Sequence, residues 1–278
     1  MANFTRRSFL GAAAALAAPS AALLAARKRI PIGVQLYSVT KIAAGDLPGT
    51  LAGIKKMGYD GVEFAGYYNF ASDAKGLRKL LDDNGLKVCG THIQLATMDG
   101  DGLKQTIEFN QTIGNPFLVV PSLPKQNTAT LEAWAQTADR FREIAETVTP
   151  LKMHIGYHNH SAEFTPVDGQ MPWDVLLSKA GRNVFGQLDI GHCQRAGADP
   201  VAYLKKYPGR ALTVHVKEFN PDRRDALVGE GKVNWPAVFA ACESVAGTQW
   251  YIIEEESRAY PGLEGIEKSI QNLKKLLG

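Results

Sequence analysis

From Ile30 onward, short apolar runs alternate with stretches whose apolar positions recur every three to four residues. Runs of four to six residues bounded by Gly, Pro or polar clusters read as buried strands; the wider spacing reads as helices with one face on a core. The pattern predicts strands at 32–37, 61–64, 87–92, 117–120, 184–189, 212–216 and 250–254. The run from Met153 to Tyr157, which climbs into His158, is the fifth of the eight. Helices are expected over 47–57, 75–84, 103–113, 131–147, 172–179, 201–206, 236–245 and 266–277. Gly58 stops the first of these, Thr128 or Thr130 caps the fourth, and Pro172 opens the fifth at a favoured first position. Eight strand–helix pairs in about 250 residues predict a single-domain α/β fold, a closed (β/α)8 TIM barrel over 30–278. An open doubly wound sheet is the alternative. It usually has fewer strands and a Gly-rich turn after the first, and the chain has no GxGxxG.

The first 26 residues break the alternation. Arg6-Arg7 precedes an Ala/Leu run that continues to Ala26, with no acidic residue in the segment. This reads as a twin-arginine export signal over 1–26, cleaved between Ala18 and Ala26, which places the mature protein in the periplasm. The run is too short and alanine-rich for a membrane span, so no membrane attachment is expected after its removal. Losing Arg6 and Arg7 takes the formal charge of +3 close to zero. A near-neutral chain lacks the basic face that nucleic acid requires, and none is expected as a partner. Cys89, Cys193 and Cys242 have no CxxC spacing and read as small buried side chains. A homo-oligomer is compatible with this sequence.

The chemistry gathers at strand ends. In a TIM barrel the active site lies at the carboxyl ends of the strands. There the sequence sets Glu63, His92, His158 with His160, Asp189 with His192, His215 with Lys217, and Glu254. Five of the six histidines fall at or just beyond predicted strands 3, 5, 6 and 7. Residues two apart in a strand share a face, so His158 and His160 both face one pocket if the strand continues, as do His215 and Lys217. Imidazoles with carboxylates suit one divalent ion: Mn, Co, Zn or, less comfortably, Mg. Such an ion polarises a carbonyl and stabilises an enediolate while a flanking base takes the carbon-bound proton. Gly229-Glu230-Gly231-Lys232 lacks the phosphate-loop pattern and reads as a barrel loop near the substrate.

Several segments together resemble the xylose isomerase-like TIM barrels, a superfamily of sugar isomerases and epimerases, inosose dehydratase-like enzymes and endonuclease IV. They are Gly33-Val34-Gln35-Leu36-Tyr37-Ser38, Gly61-Val62-Glu63, Tyr157-His158-Asn159-His160 with Glu163-Phe164, and Leu188-Asp189-Ile190-Gly191-His192. His215-Val216-Lys217-Glu218, Gly229-Glu230-Gly231 with Trp235, and Ile253-Glu254 complete the set. The resemblance implies a metal held by strands 5 to 8, with Asp189, His215 and Glu254 as ligands and His158, or by register His160, as the fourth. It implies substrate contacts from Glu63, His92, His192 and Glu163. Ketose 3-epimerases place a glutamate on strand 5 as both ligand and acid/base; a histidine there cannot support a symmetric two-glutamate exchange. Proton handling then falls to Glu254, Glu163, His160 or Lys217. The expected function is a periplasmic, metal-dependent isomerase or epimerase. It moves a proton next to a metal-bound carbonyl of a non-phosphorylated sugar or keto-sugar. The alternative is a hydratase or lyase acting on 3-keto-glycosides or cyclitols; an endonuclease IV-type nuclease and a non-catalytic sugar-binding barrel rank below both.

Overall fold

The computed structural model describes residues 29–257 and 259–278. The expected export signal at 1–26 lies outside the described residues. Eight parallel strands close on themselves in sequence order: β1 (Ile32–Gln35), β2 (Gly61–Phe64), β3 (Lys87–His92), β4 (Phe117–Val120), β5 (His154–His158), β6 (Val184–Asp189), β7 (Thr213–Val216) and β8 (Trp250–Ile253). β8 pairs back onto β1 through Ile32 and Tyr251, which closes the (β/α)8 barrel.

Among the described residues, ten α-helices lie around it: α1 (Thr40–Gly45), α2 (Leu47–Met57), α3 (Ala74–Asp83), α4 (Gly100–Ile113), α5 (Leu131–Val148), α6 (Pro172–Ala180), α7 (Ile190–Arg195), α8 (Pro200–Lys206), α9 (Trp235–Ala241) and α10 (Glu264–Leu277). The stop at Gly58 is a left-handed residue with φ 89°, a conformation that glycine adopts without a Cβ penalty. Thr130, of the two candidates, caps α5 by accepting from Ala133 N–H at 3.1 Å.

Two differences from the predicted elements affect the site. The first strand ends at Gln35 rather than Tyr37, because the chain turns into a 3-10 segment whose Tyr37 N–H donates to the Gln35 side chain at 3.0 Å. The fifth strand ends at His158, so the period-two rule no longer relates His158 to His160. His160 is exposed while His158 is buried.

The strands alternate between two cores. Outward side chains such as Val34, Val62, Leu118, Ile155, Val214 and Ile253 join the helices in the main apolar cluster. Inward ones (Cys89, Phe117, Val119, Phe185, Trp250 and Ile252) fill the barrel as a separate cluster. Glycines make room for that interior. A Cβ on Gly156 would lie 2.6 Å from the Phe185 ring, and one on Gly33 would lie 2.4 Å from Cys89 Sγ. With the lower interior packed by these rings, the polar inward positions Gln35, Glu63, His158, Gln187, Asp189, His215 and Glu254 form a buried layer towards the carboxyl ends.

Candidate metal centre and active site

Four of those positions converge. Donor atoms of His158, Asp189, His215 and Glu254 all lie within 4.8 Å of one another, and all four residues are buried. One comes from the end of each of β5, β6, β7 and β8, so neighbouring strands in the barrel supply neighbouring ligands.

Each side chain is aimed by a local device. Asp189 Oδ1 accepts from His192 N–H at 2.6 Å, capping α7. The other oxygen, Oδ2, is left facing the cluster. Asn159 holds the ends of β5 and β6 together: its Oδ1 accepts from Asp189 N–H at 2.8 Å and its Nδ2 donates to Asp189 C=O at 3.2 Å. His215 donates from Nε2 to Glu63 Oε2 at 2.6 Å, which turns Nδ1 towards Glu254 (3.2 Å) and Asp189 Oδ2 (3.8 Å). A carboxylate behind a ligating imidazole is the usual means of fixing its tautomer and orientation.

The donor set fits a divalent cation. His158 Nδ1 and Asp189 Oδ2 are buried without a hydrogen-bond partner, a condition that is costly unless another ligand satisfies it. Two imidazoles and two carboxylates in this arrangement suit Zn, Mn or Co better than Mg.

The protonation states follow from the same crowding. Burial and the charge on His215 hold His158 well below the ordinary histidine range. Burial lifts Asp189 to about 7, with Glu254 adding to the effect against the pull of Lys217. For His215 burial opposes the charge, but Glu63 and Glu254 on either side outweigh it and push its pKa up to about 10. Burial would raise Glu254 too, yet the Lys217 ammonium and His215 hold it well below the carboxylate range.

The remaining sequence candidates fall into different surroundings. Lys217 is buried just past the end of β7 and reaches Glu254 at 3.2 Å, Glu256 at 2.5 Å and His192 Nε2 at 3.3 Å. Burial and that ammonium push His192 down to about 3, so its ring is neutral. Glu163 is buried, with Tyr157 OH donating to Oε1 at 2.7 Å and His160 N–H to Oε2 at 2.8 Å; it clamps the turn after β5. The His160 ring lies 4.9 Å from that of His192, at the exposed edge of the cluster. Glu63 has no exposure and sits beneath His92 and His215. Burial would raise its pKa, but those two rings hold it below the usual range. The loop at 229–231 wraps Glu218, which accepts from Gly229 N–H at 2.7 Å and Trp235 Nε1–H at 2.8 Å. All three cysteines are buried and free.

Sequence reasoning missed Gln187, Gln35 and Glu256. Gln187 donates to Glu63 Oε1 at 2.7 Å and to Thr213 Oγ1 at 2.9 Å, while its amide oxygen lies 2.9 Å from His92 Nε2. Gln35 Nε2 donates to Glu63 Oε2 at 2.8 Å. The available signal was periodic: Gln187 is two before Asp189, and a polar residue there must share its inward face.

A model of the xylose isomerase-like TIM barrel matches residues 51–276. The chain belongs to that family. Inosose dehydratase of Geobacillus kaustophilus (strain HTA426) is 24% identical over 246 residues, covering 74% of this chain and 79% of that protein. A sugar phosphate isomerase/epimerase from Parabacteroides distasonis ATCC 8503 superposes with a TM-score of 0.78 at 24% identity, covering 90% of this chain and 97% of that one. The IolI protein, solved with a bound zinc atom, superposes with a TM-score of 0.67 at 16% identity, covering 89% and 96%. At these identities the structural likenesses establish the barrel, and the chemistry rests on this chain's own residues.

Proposed function

We propose that this family member is a sugar-modifying enzyme. It takes a proton from the carbon beside the carbonyl of a non-phosphorylated sugar or keto-sugar, with His158, Asp189, His215 and Glu254 holding one divalent ion. The observation that carries the reading is the pair of unpartnered donor atoms, His158 Nδ1 and Asp189 Oδ2, inside a four-residue donor set at the barrel mouth. When bound, such an ion acts as a Lewis acid that stabilises negative charge developing on the carbonyl oxygen. The chain's residues supply the rest. Glu63 holds His215 in place, Lys217 neutralises Glu254, and the buried layer keeps water from the donors.

Return of the proton to a neighbouring carbon gives isomerisation or epimerisation. Loss of a β-hydroxyl from the same intermediate gives dehydration. His158 favours the second outcome, because strand 5 offers an imidazole ligand where a two-carboxylate exchange needs a glutamate; relatives named inosose dehydratase point the same way. We also propose a periplasmic location for the mature protein, on the strength of Arg6-Arg7 and the acid-free Ala/Leu run. Cell fractionation with Arg6 and Arg7 changed to Lys tests it: cytoplasmic retention is expected, and unchanged export overturns it.

Elemental analysis of the purified protein, followed by NMR in heavy water with a panel of ketoses, inososes and 3-keto-glycosides, tests the enzymatic reading. One equivalent of divalent ion and deuterium at a carbon beside the carbonyl are expected. Protein that takes up no ion, and exchanges nothing on the panel, overturns it.

A further inference from the structure

The loops that follow β3 and β4 enclose a hollow of about 490 Å³ at the carboxyl end of the barrel, within the usual size range of small-molecule sites. The two strands stay paired up to His92 and Val119, and Ile93 N–H donates to Val119 C=O at 2.8 Å. Gln94 and Ser122, which line the hollow, each stand two residues past the end of their strand. Two residues of chain span at most about 7 Å, so the Gln94 backbone stays close to that of His92. A donor atom of His92 lies within 4.8 Å of donors of His158 and His215. The hollow therefore borders the half of the mouth that the four proposed ligands leave free.

Its walls are built before any ligand arrives. One is a 3-10 turn at Leu95–Thr97, where Thr97 N–H and Oγ1–H donate to Gln94 C=O at 3.0 and 2.8 Å. The other is a 3-10 turn at Lys125–Asn127; Asn127 N–H donates to Pro124 C=O at 2.9 Å and Nδ2 to Thr137 Oγ1 at 3.1 Å. Arg140, from α5, ties the first turn down by donating to Met98 C=O at 2.7 Å. Little ordering is left for a ligand to impose.

The lining selects the chemistry. Its charged side chains, Asp99 and Arg140, cancel: the guanidinium donates to Asp99 at 3.1 Å and to Glu143 at 2.8 Å. A phosphate would meet no unpaired cation in this lining, whereas a neutral ligand needs none. Leu95 and Leu123 pack on the main apolar cluster and form a floor. The side chains of Gln94, Ser122 and Gln126 are exposed above it and make no hydrogen bond among the described residues. Neutral amides and a hydroxyl over an apolar floor suit a sugar ring, with hydroxyls at its edge and C–H groups on its faces. A second hollow, of about 310 Å³ beside α7 and α8, differs. Its Asp199 and Asn234 cap α8 and α9, and its Gln194 donates to Lys232 C=O at 3.2 Å.

We propose that the hollow between the β3 and β4 loops is a subsite for a second, neutral sugar residue, so that the substrate is a glycoside larger than one ring. The keto-sugar ring faces the donor cluster, and the linked sugar lies on Leu95 and Leu123 with its hydroxyls on Gln94, Ser122 and Gln126. The assignment of the reacting ring rests on the functional reading above; the subsite does not.

Two measurements test it. In the first, nitrogen-labelled protein is titrated with lactose, cellobiose and maltose while NMR follows the side-chain amides of Gln94 and Gln126. Shifts at both amides are expected with at least one disaccharide, and they should be lost in Ser122→Trp and in Ala96→Trp, which block the hollow from opposite walls. No shift with any of the three, or shifts that persist in both variants, overturns the subsite. The second compares deuterium uptake in heavy water by methyl 3-keto-glucoside and by the 3-keto derivative of the disaccharide that shifts the amides. The metal-loaded wild type should favour the disaccharide about tenfold in kcat/KM, mainly through KM, the gain expected from one or two net hydrogen bonds. In Ser122→Trp that ratio should fall to about one, because those bonds are lost. Equal kcat/KM for the two ketones in wild type overturns this inference alone. Exchange of neither ketone overturns the functional reading, and the amide shifts then decide the subsite by themselves.

Discussion

At the scale of single residues, the end of β5 at His158 separates two histidines that the sequence left open as rivals. His158 is still in the ladder and turned inward; its Nδ1 is buried without a hydrogen-bond partner beside the other three donors. His160 lies beyond the strand, with its backbone N–H on Glu163. Accordingly, His158→Ala should lose stoichiometric metal, while His160→Ala should keep it, because the exposed His160 ring lies at the edge of the cluster and not among the donors that converge. Elemental analysis and chelator competition check both, and metal retained by His158→Ala would remove it from the ligand set. The ligands on β6 to β8 were legible because each ends an apolar run, where a carboxylate or imidazole has no packing role. Gln187 and Gln35 were not, since a neutral amide inside a strand gives no chemical signal until its partners are seen. Glu63 was noticed for its charge, but its burial under two imidazoles depends on barrel closure, which no local pattern encodes.

At the scale of elements, the strand cores of this barrel were legible to within a residue or two, because inward and outward faces are both buried and the runs are nearly all apolar. Helix starts were less so. α4 begins at Gly100 rather than at 103, since Gly-Asp-Gly carries no apolar periodicity. The six-residue α7 was missed altogether, being set by the Asp189 cap rather than by an apolar stripe. The glycines in the strands have a tertiary meaning that a period-two reading cannot supply. Gly156 faces the Phe185 ring, where an added methyl group would approach to 2.6 Å. Phe185 is buried among the interior rings, so moving it disturbs their packing. Gly156→Ala should therefore destabilise the protein by about 1–3 kcal/mol, the usual penalty of overpacking. Gly45→Ala, at the end of α1 with nothing within 4 Å of the new Cβ, should change stability by less than about 1 kcal/mol. Urea unfolding of the metal-free proteins distinguishes them. Equal midpoints for the two variants would mean that the interior relaxes around residue 156.

At the scale of the molecule, the proposed ion would join the ends of four consecutive strands, β5 to β8, across half of the closed sheet. The unfolded chain has no such assembled site, so metal binding is linked to folding. At a free-ion concentration about 100 times Kd, the ion adds about 2.7 kcal/mol to stability. For a domain of this length, that corresponds to a rise in Tm of roughly 5–10 °C. Protein stripped with a chelator should therefore melt lower and recover when Zn or Mn is restored. The shift should shrink in Asp189→Ala, which removes the oxygen left unpartnered at the centre of the cluster. It should persist in His160→Ala, because the His160 ring lies at the exposed edge of the cluster. Calorimetric scans of the three proteins with and without metal make the comparison. If Asp189→Ala keeps the full metal-dependent shift, the ion is held elsewhere on the barrel.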